Sequence, residues 1–438
     1  MRLVIWHTDP YPTAPGVYLG AFPRFGHDVT WVIATEGDRH QTLVRHEGGV
    51  RVIDIQRPRD VHGPRLWSAV VNRWNKLVRL FAKIAWMRRL LAERPDVFQV
   101  RELITEGTIA LPLARSQRVP FAFQWDFPHY EAALFEMAQA GSKNVLRALH
   151  LRWVIAMRAH ILRGADLVLP ISDGLAEIAR DRHGVDPWRI VPFPVGVAAD
   201  SVRRAREGTP HPRAASLAGQ PVLCYLGNLD AVRQPSFLFD IFAAVLEQVP
   251  EAWLLLVGRA NPGVERLLAD HPARERVVFT GYVAHADVPA TIAQARVGFY
   301  AVPLTDPYGI YRTCSPLKVV EYMACGLPVV ASRVEDAEKM LGESGGGVCV
   351  ENLPRLFARE IVGYLRDPER ARADGEKGRA YIEEHRVFEA LGREVEAAYE
   401  RLLATGRPAS PASPLLAGRR RAPAPVRAPA PAVESSPS

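Results

Sequence analysis

The chain has 438 residues, 48% of them hydrophobic, which is enough apolar content for two or three ordinary domain cores. Its formal net charge is +7, but the stretch from Gly406 onward holds five arginines against one glutamate, so the remainder carries only about +3 and bulk charge gives no argument for a nucleic-acid partner. No apolar run reaches the length of a membrane span, MRLVIWHTDP is too short and too soon interrupted for a signal peptide, and the expected location is cytoplasmic.

In chain order, RLVIW, DVTWVIA, VRVIDI, DVFQV and PFAFQW are strand candidates with helical patterns between them, the alternation of a parallel α/β sheet. GADLVLPIS adds a strand, and DGLAEIARDRHG a helix started by Ser172 or Asp173 and stopped by Gly184. A polar stretch from Ala198 to Gln220 breaks the pattern. A second α/β series follows, with strands PVLCYLG, AWLLLVG, RVVFTG, VGFYAV, PVVAS and GGVCVE. Helices are expected near Leu353 to Arg366, Glu369 to Glu384 and Val387 to Ala404. The Pro/Ala/Ser/Arg-rich tail of residues 405–438 has no apolar periodicity and is expected to be disordered. Cys224, Cys314, Cys325 and Cys349 form no CxxC pair and read as small buried apolar side chains.

The stretch CSPLKVVEYMACGLPVVAS, residues 314–332, reads as a helix over Pro316 to Cys325 with Ser315 as N-cap and Gly326 just past its end. Lys318 falls in the first turn, where the helix dipole disfavours a cation. A helix N-terminus at the C-terminal edge of a parallel sheet binds anions, so Lys318 is explained if a diphosphate sits there. Glu321, further along, would accept hydrogen bonds from sugar hydroxyls. On spacing alone a surface Lys318–Glu321 ion pair fits equally well.

SPLKVVEYMACGLPVVAS, with FTGYVAHADVPATIAQARVGFYAVP before it, SGGGVCVE after it, and YLGNLDAVRQP, LLLVG, GADLVLPISDGLAEIARDRHGV and PFPVGV upstream, resembles the donor-binding half of GT-B glycosyltransferases of the family 4 type. The resemblance implies two Rossmann-like domains facing a cleft: residues 1–195 on the acceptor side, residues 196–386 binding a nucleotide-sugar donor, and a helix over 387–404 crossing back. It implies transfer with retention of configuration. Glu321 matches the second glutamate of the family's Glu-x7-Glu motif, while Thr313 stands in place of the first; the Ser-Pro-x-Lys variant gives Ser315, Leu317 and Lys318 to the diphosphate side. Asn228 stands where the family has its first phosphate-binding arginine, and Arg233 lies near the second basic position. With no Asp-x-Asp in the chain, no metal or other cofactor is expected.

In the N-terminal domain the family's Gly-rich first loop is replaced by a Pro-interrupted one, leaving Gly16 as the candidate for close backbone approach. Asp126 matches the acid of the family's His-Asp pair; Trp125 stands for the histidine, and His129 is a candidate substitute. Arg101 and Glu102, ending DVFQV, are further cleft-edge candidates. Residues 61–92 and 143–163 are basic, Trp- and Leu-rich and without an acidic residue, a composition suited to an anionic membrane surface. The leading reading is a retaining glycosyltransferase acting on a glycan or lipid-linked acceptor. A nucleotide-sugar epimerase and a membrane-docked non-catalytic binding protein are the alternatives. The absence of GxGxxG after the first strand argues against a dehydrogenase.

Overall fold

RLVIW, FAFQW and VLCYL are buried at nearly every position, the pattern of strands covered by helices on both faces. In the computed structural model, which describes residues 1–7, 15–227, 229, 235–259, 262–269, 271–302 and 313–405, such runs build two sheets. The first holds β1 (Arg2–Trp6), β2 (Asp28–Ile33), β3 (Glu36–Gly37), β4 (Gln41–Glu47), β5 (Val50–Pro58), β6 (Val97–Arg101), β7 (Phe121–Trp125) and β8 (Leu167–Pro170). Its order is β3-β5-β2-β1-β6-β7-β8, all parallel, with β4 added antiparallel to β5. The second holds β9 (Val222–Leu226), β10 (Trp253–Val257), β11 (Val277–Gly281), β12 (Val297–Tyr300), β13 (Val329–Ser332) and β14 (Gly347–Val350), in the order β11-β10-β9-β12-β13-β14.

Both sheets are doubly wound, and each reverses strand order once: between β1 and β6, and between β9 and β12. Ligands of open α/β sheets bind at such reversals, beyond the C-terminal ends of the strands. The N-terminus of the Asp173–Asp181 helix, capped by Ser172, touches the second unit there. The Ser172 hydroxyl donates to the Thr313 carbonyl, and Lys339 pairs with Asp173 at 2.9 Å. The C-terminal edges of the two sheets therefore face one another.

Two crossings join the units, and they run side by side. Val197 donates to the Arg386 carbonyl and Phe388 to the Val197 carbonyl, each at 3.0 Å. Gly196 allows this approach, because a Cβ there would lie 2.4 Å from the Arg386 oxygen. The Phe388–Thr405 helix then returns to the first unit, where Leu391, Val395, Ala398, Tyr399 and Leu402 share a core with Leu3, Ile5, Tyr18 and Phe22. Residues 406–438 lie outside the described part.

Strand β4 was not among the expected elements. It forms a hairpin with β5 through Gly48 and Gly49, both at positive φ, the conformation a two-residue turn between antiparallel strands requires.

Candidate active site

The helix of the Ser-Pro-x-Lys stretch spans Leu317–Ala324 and starts one residue later than its sequence suggests. Pro316 occupies the N-cap position, and no side chain caps the helix. Ser315 is drawn away from the expected cap: its buried hydroxyl donates to Asp336 and accepts from the Val195 amide at 3.2 Å. Asp336 also pairs with Arg386, so Ser315 belongs to a buried cluster that ties the helix start to both interdomain crossings. Thr313, in the place of the first family glutamate, is buried beside Ser172 and Gly174 of the opposite unit.

The helix is fixed against the sheet by Tyr322, whose hydroxyl accepts from the Leu226 amide at 2.5 Å and whose ring covers Gly298 of β12. This fixation places Lys318 over the β9/β12 reversal. Its Nζ lies 3.3 Å from the Tyr225 hydroxyl and 4.7 and 5.9 Å from the ring centres of Tyr225 and Tyr300. Gly227, the glycine of YLG, makes room for it, since a Cβ there would fall 2.6 Å from Lys318 Cε. An ammonium packed against two aromatic faces is held in place rather than waving in solvent. It stands beside a helix N-terminus whose amide groups have no side-chain cap. Asn228 and Arg233 lie outside the described residues.

Glu321 turns with Leu317 into a cavity of about 210 Å³ while staying close enough to Lys318 to feel its charge. Gly196, Ala198, His285, Val288 and Phe388 also line it, bringing together the first crossing, the segment after β11 and the start of the last helix. Burial pushes the Glu321 carboxyl up to about 7, against the opposing pull of Lys318. The cavity is mostly apolar with one carboxyl at its side, a shape suited to a nucleoside whose ribose hydroxyls meet Glu321.

Across the cleft, Arg101, Glu102 and Asp126 do come together, at the ends of β6 and β7. The Arg101 guanidinium pairs with Asp126 and reaches His7 Nε2, at the end of β1, at 2.8 Å. Gln124 donates to the other Asp126 oxygen at 2.9 Å. Glu102 sits at φ 58° and accepts from the Asp126 amide and, at 3.0 Å, from that of Phe127. Burial, and then the charge of Asp126, push its carboxyl up to about 8. His7 is neutral: burial and Arg101 lower it to about 3. Because Arg101 only donates, His7 Nε2 must accept and Nδ1 carries the proton.

Sequence reasoning missed His7 and a polar chain behind Asp126. Tyr399 of the last helix donates to Gln99, Gln99 donates to Tyr18 at 2.6 Å, Tyr18 to Gln124 at 3.1 Å, and Gln124 to Asp126. The signal was present: DVFQV and FAFQW each place one glutamine inside an otherwise apolar buried strand. Trp125 turns away from the cleft. Its indole donates to the Phe127 carbonyl at 3.2 Å, lies under the Arg158 guanidinium and meets the His183 ring edge to face. His129 is exposed at the start of the His129–Gln139 helix, with its ring 4.8 Å from that of Phe127. Gly16 approaches Phe388, whose ring would lie 2.2 Å from a Cβ. Among the described residues no three His, Cys, Asp or Glu side chains gather as metal ligands.

Two reversals facing each other across paired crossings define a GT-B architecture. Comparison with known families agrees: residues 18–196 match the model described as "Glycosyl transferase 4-like domain" and residues 220–367 that described as "Glycosyl transferases group 1". The chain belongs to the GT-B glycosyltransferases of the family 4 type.

Among curated relatives it is 27% identical over 208 residues to a D-inositol 3-phosphate glycosyltransferase of Segniliparus rotundus, covering 45% of this chain and 44% of that protein. It is 31% identical over 201 residues to a GDP-mannose-dependent alpha-(1-6)-phosphatidylinositol monomannoside mannosyltransferase of Mycolicibacterium smegmatis, covering 45% and 49%. The chain thus spans less than half the length of these relatives. Among solved structures, sucrose-phosphate synthase from Thermosynechococcus elongatus superposes with a TM-score of 0.66 at 20% identity, over 92% of this chain and 99% of that one. An Anabaena protein solved with UDP and glucose gives 0.62 at 13% identity, over 92% and 100%.

Proposed function

We propose that the chain is a retaining glycosyltransferase that moves a sugar from a nucleotide-diphosphate donor to a glycan or lipid-linked acceptor, in the synthesis of a cell-surface polysaccharide or glycoconjugate. The observation that carries this reading is the pairing of Lys318 with an uncapped helix N-terminus at the β9/β12 reversal, one helical turn from Glu321. Cation and helix end would neutralise the diphosphate, and Glu321 would hold the ribose. Curated relatives that use GDP-mannose and act on phosphatidylinositol mannosides by name, and a solved neighbour with UDP bound, support donor and acceptor classes of this kind.

The residues supply electrostatics and positioning. As the bond between sugar and diphosphate breaks, negative charge grows on the leaving oxygen, and Lys318 with the helix amides stabilises it there. No divalent metal is required for that charge balance. Asp126 is poorly placed as a nucleophile, since both its oxygens already accept hydrogen bonds from Arg101 and Gln124. It acts instead as an oriented acceptor at the cleft floor, with Glu102 in its protonated form behind it at neutral pH. Attack by the acceptor hydroxyl on the face the diphosphate leaves, with its proton passing to the departing diphosphate oxygen, gives retention without a covalent enzyme intermediate.

The test is nucleotide release from a panel of nucleotide sugars, with and without lipid and glycan acceptors, in chelator-containing buffer, followed by NMR of the product's anomeric centre. Acceptor-dependent release with retained configuration is expected. Release that needs added magnesium or manganese would end the metal-free mechanism. Isomerised donor formed without any acceptor would make the protein an epimerase.

A further inference from the structure

No helix among the described residues is long and apolar enough to cross a membrane. Two helices nevertheless expose apolar ridges. The Arg65–Ala92 helix buries its C-terminal part through Met87, Leu90 and Leu91. Its N-terminal part leaves Leu66 (86% exposed), Trp67, Val70, Trp74, Leu77 and Phe81 (68%) open to solvent. From Trp67 onward these recur at alternating spacings of three and four, which puts them on one face. The Val145–Gly164 helix does the same with Val145, Leu146 (81%), Leu149 and Trp153.

The two ridges lie at the same end of the first unit. The Arg65–Ala92 helix follows β5, and the Val145–Gly164 helix leads into β8. In a parallel α/β unit both therefore begin at the C-terminal edge of the sheet, where β6 and β7 present Arg101 and Asp126. Both pack on the Ile104–Gln117 helix: Lys83 pairs with the buried Glu106, and Gly164 abuts Leu111. The 28-residue Arg65–Ala92 helix is about 42 Å long, against about 17 Å for the five-residue strands β6 and β7, so with its C-terminal part packed its N-terminal part extends beyond their C-terminal ends.

The cations sort by position. Arg65, Arg73 and Lys76 on the first ridge helix, and Lys143, Arg147 and Arg152 at the second, are exposed. Lys83 and Arg158, which the sequence grouped with them, are buried and paired with Glu106 and Glu131. Trp86 also leaves the ridge, its indole donating to Thr42 at 3.3 Å. Neither 61–92 nor 143–163 contains an acidic residue, so two copies meeting through these faces would oppose like charges, whereas anionic headgroups would neutralise them.

We infer that the two ridges form one docking face for an anionic lipid bilayer, which seats the cleft mouth at headgroup level. Resting on the function proposed above, this makes the acceptor a lipid-linked one drawn from that same membrane.

The test is co-sedimentation of the full chain with vesicles of phosphatidylglycerol and phosphatidylcholine, and with phosphatidylcholine alone, at low and high salt. Leu66→Ser/Trp74→Ser/Phe81→Ser removes one ridge and Leu146→Ser/Trp153→Ser the other, all at exposed positions. Wild type should bind the anionic vesicles, with tryptophan emission shifting to the blue. Each ridge variant should weaken binding by about ten-fold or more, and high salt should release the protein. Circular dichroism and the donor-induced thermal shift should be unchanged in both variants, which separates loss of docking from loss of fold or donor site. Undiminished binding by the combined variant, equal binding to neutral vesicles, or no binding by wild type would overturn the inference. So would a dimer, formed without vesicles, that the substitutions dissolve. Vesicle binding without turnover of any lipid acceptor would overturn the transfer reading and leave the docking face standing.

Discussion

Glu321 and Glu102 are half-buried carboxyls on opposite walls of the cleft, and both are pushed upward, so they make separable predictions. On the function proposed above, Glu321, at about 7, holds the ribose hydroxyls more strongly when ionised, because a carboxylate offers both oxygens as charged acceptors. With that hold carried mainly by the ionised fraction, donor affinity should fall by up to about ten-fold from its high-pH plateau on going to one unit below that value. Calorimetric titration of a bound nucleotide sugar between pH 6 and 8 should show this slope, and Glu321→Gln should abolish it; an unchanged slope would assign it to another group.

Glu102, at about 8, is governed by burial and by Asp126. Its folded value exceeds the unfolded one, so its neutral form is favoured by folding, and stability falls as pH rises from the ordinary carboxyl range through about 8. Denaturant melts should therefore show Glu102→Gln gaining on the wild type as pH increases over that window. A constant difference between the two would mean that Glu102 ionises normally.

At the scale of elements, the strands were largely legible because burial on both faces writes itself as continuous apolar runs such as RLVIW and VLCYL. The β4–β5 hairpin was not: Gln41–Glu47 is a polar edge strand, exposed along much of its length, and only Gly48-Gly49 marked its turn. The Leu317–Ala324 helix was legible in extent but not in its entry. Ser315 has the sequence of an N-cap, yet a buried carboxylate 21 residues on, at Asp336, competes for its hydroxyl. No local pattern records that partner. Greater distances in sequence, up to 300 residues, hide the Tyr399–Gln99–Tyr18–Gln124–Asp126 chain, of which the sequence reading named only Asp126.

Ser315→Ala should accordingly behave as a structural change. Losing a hydrogen bond to a buried carboxylate costs about 2 kcal/mol, measurable as a lowered denaturation midpoint, with donor affinity changed by less than about three-fold. A stable Ser315→Ala protein with strongly weakened donor binding would instead return the hydroxyl to the diphosphate.

For the whole molecule, two doubly wound units are held edge to edge by paired crossings and by the Ser315–Asp336–Arg386 cluster. The last helix is built into the core of the first unit. Lys318 and Glu321 on one side and the Arg101–Asp126 pair on the other thus belong to different units, each beside a sheet reversal. The fold and the helix that carries Lys318 and Glu321 could be read from sequence because they lie in short, strongly patterned stretches. The surroundings of Asp126 could be read only in part, since His7, Gln99 and Gln124 meet there from strands remote in the chain.

The central claim is that Lys318 is a diphosphate ligand and not a partner in a surface ion pair. Thermal-shift titration of UDP-, GDP-, ADP- and TDP-sugars against wild type and Lys318→Ala tests it most directly, because a ligand of the folded state raises its melting temperature by mass action. At least one nucleotide sugar should stabilise the wild type, and Lys318→Ala should melt nearly as the wild type does alone while binding that donor about ten- to a hundred-fold more weakly. Equal stabilisation of both proteins, or a variant that loses stability without losing donor binding, would contradict it.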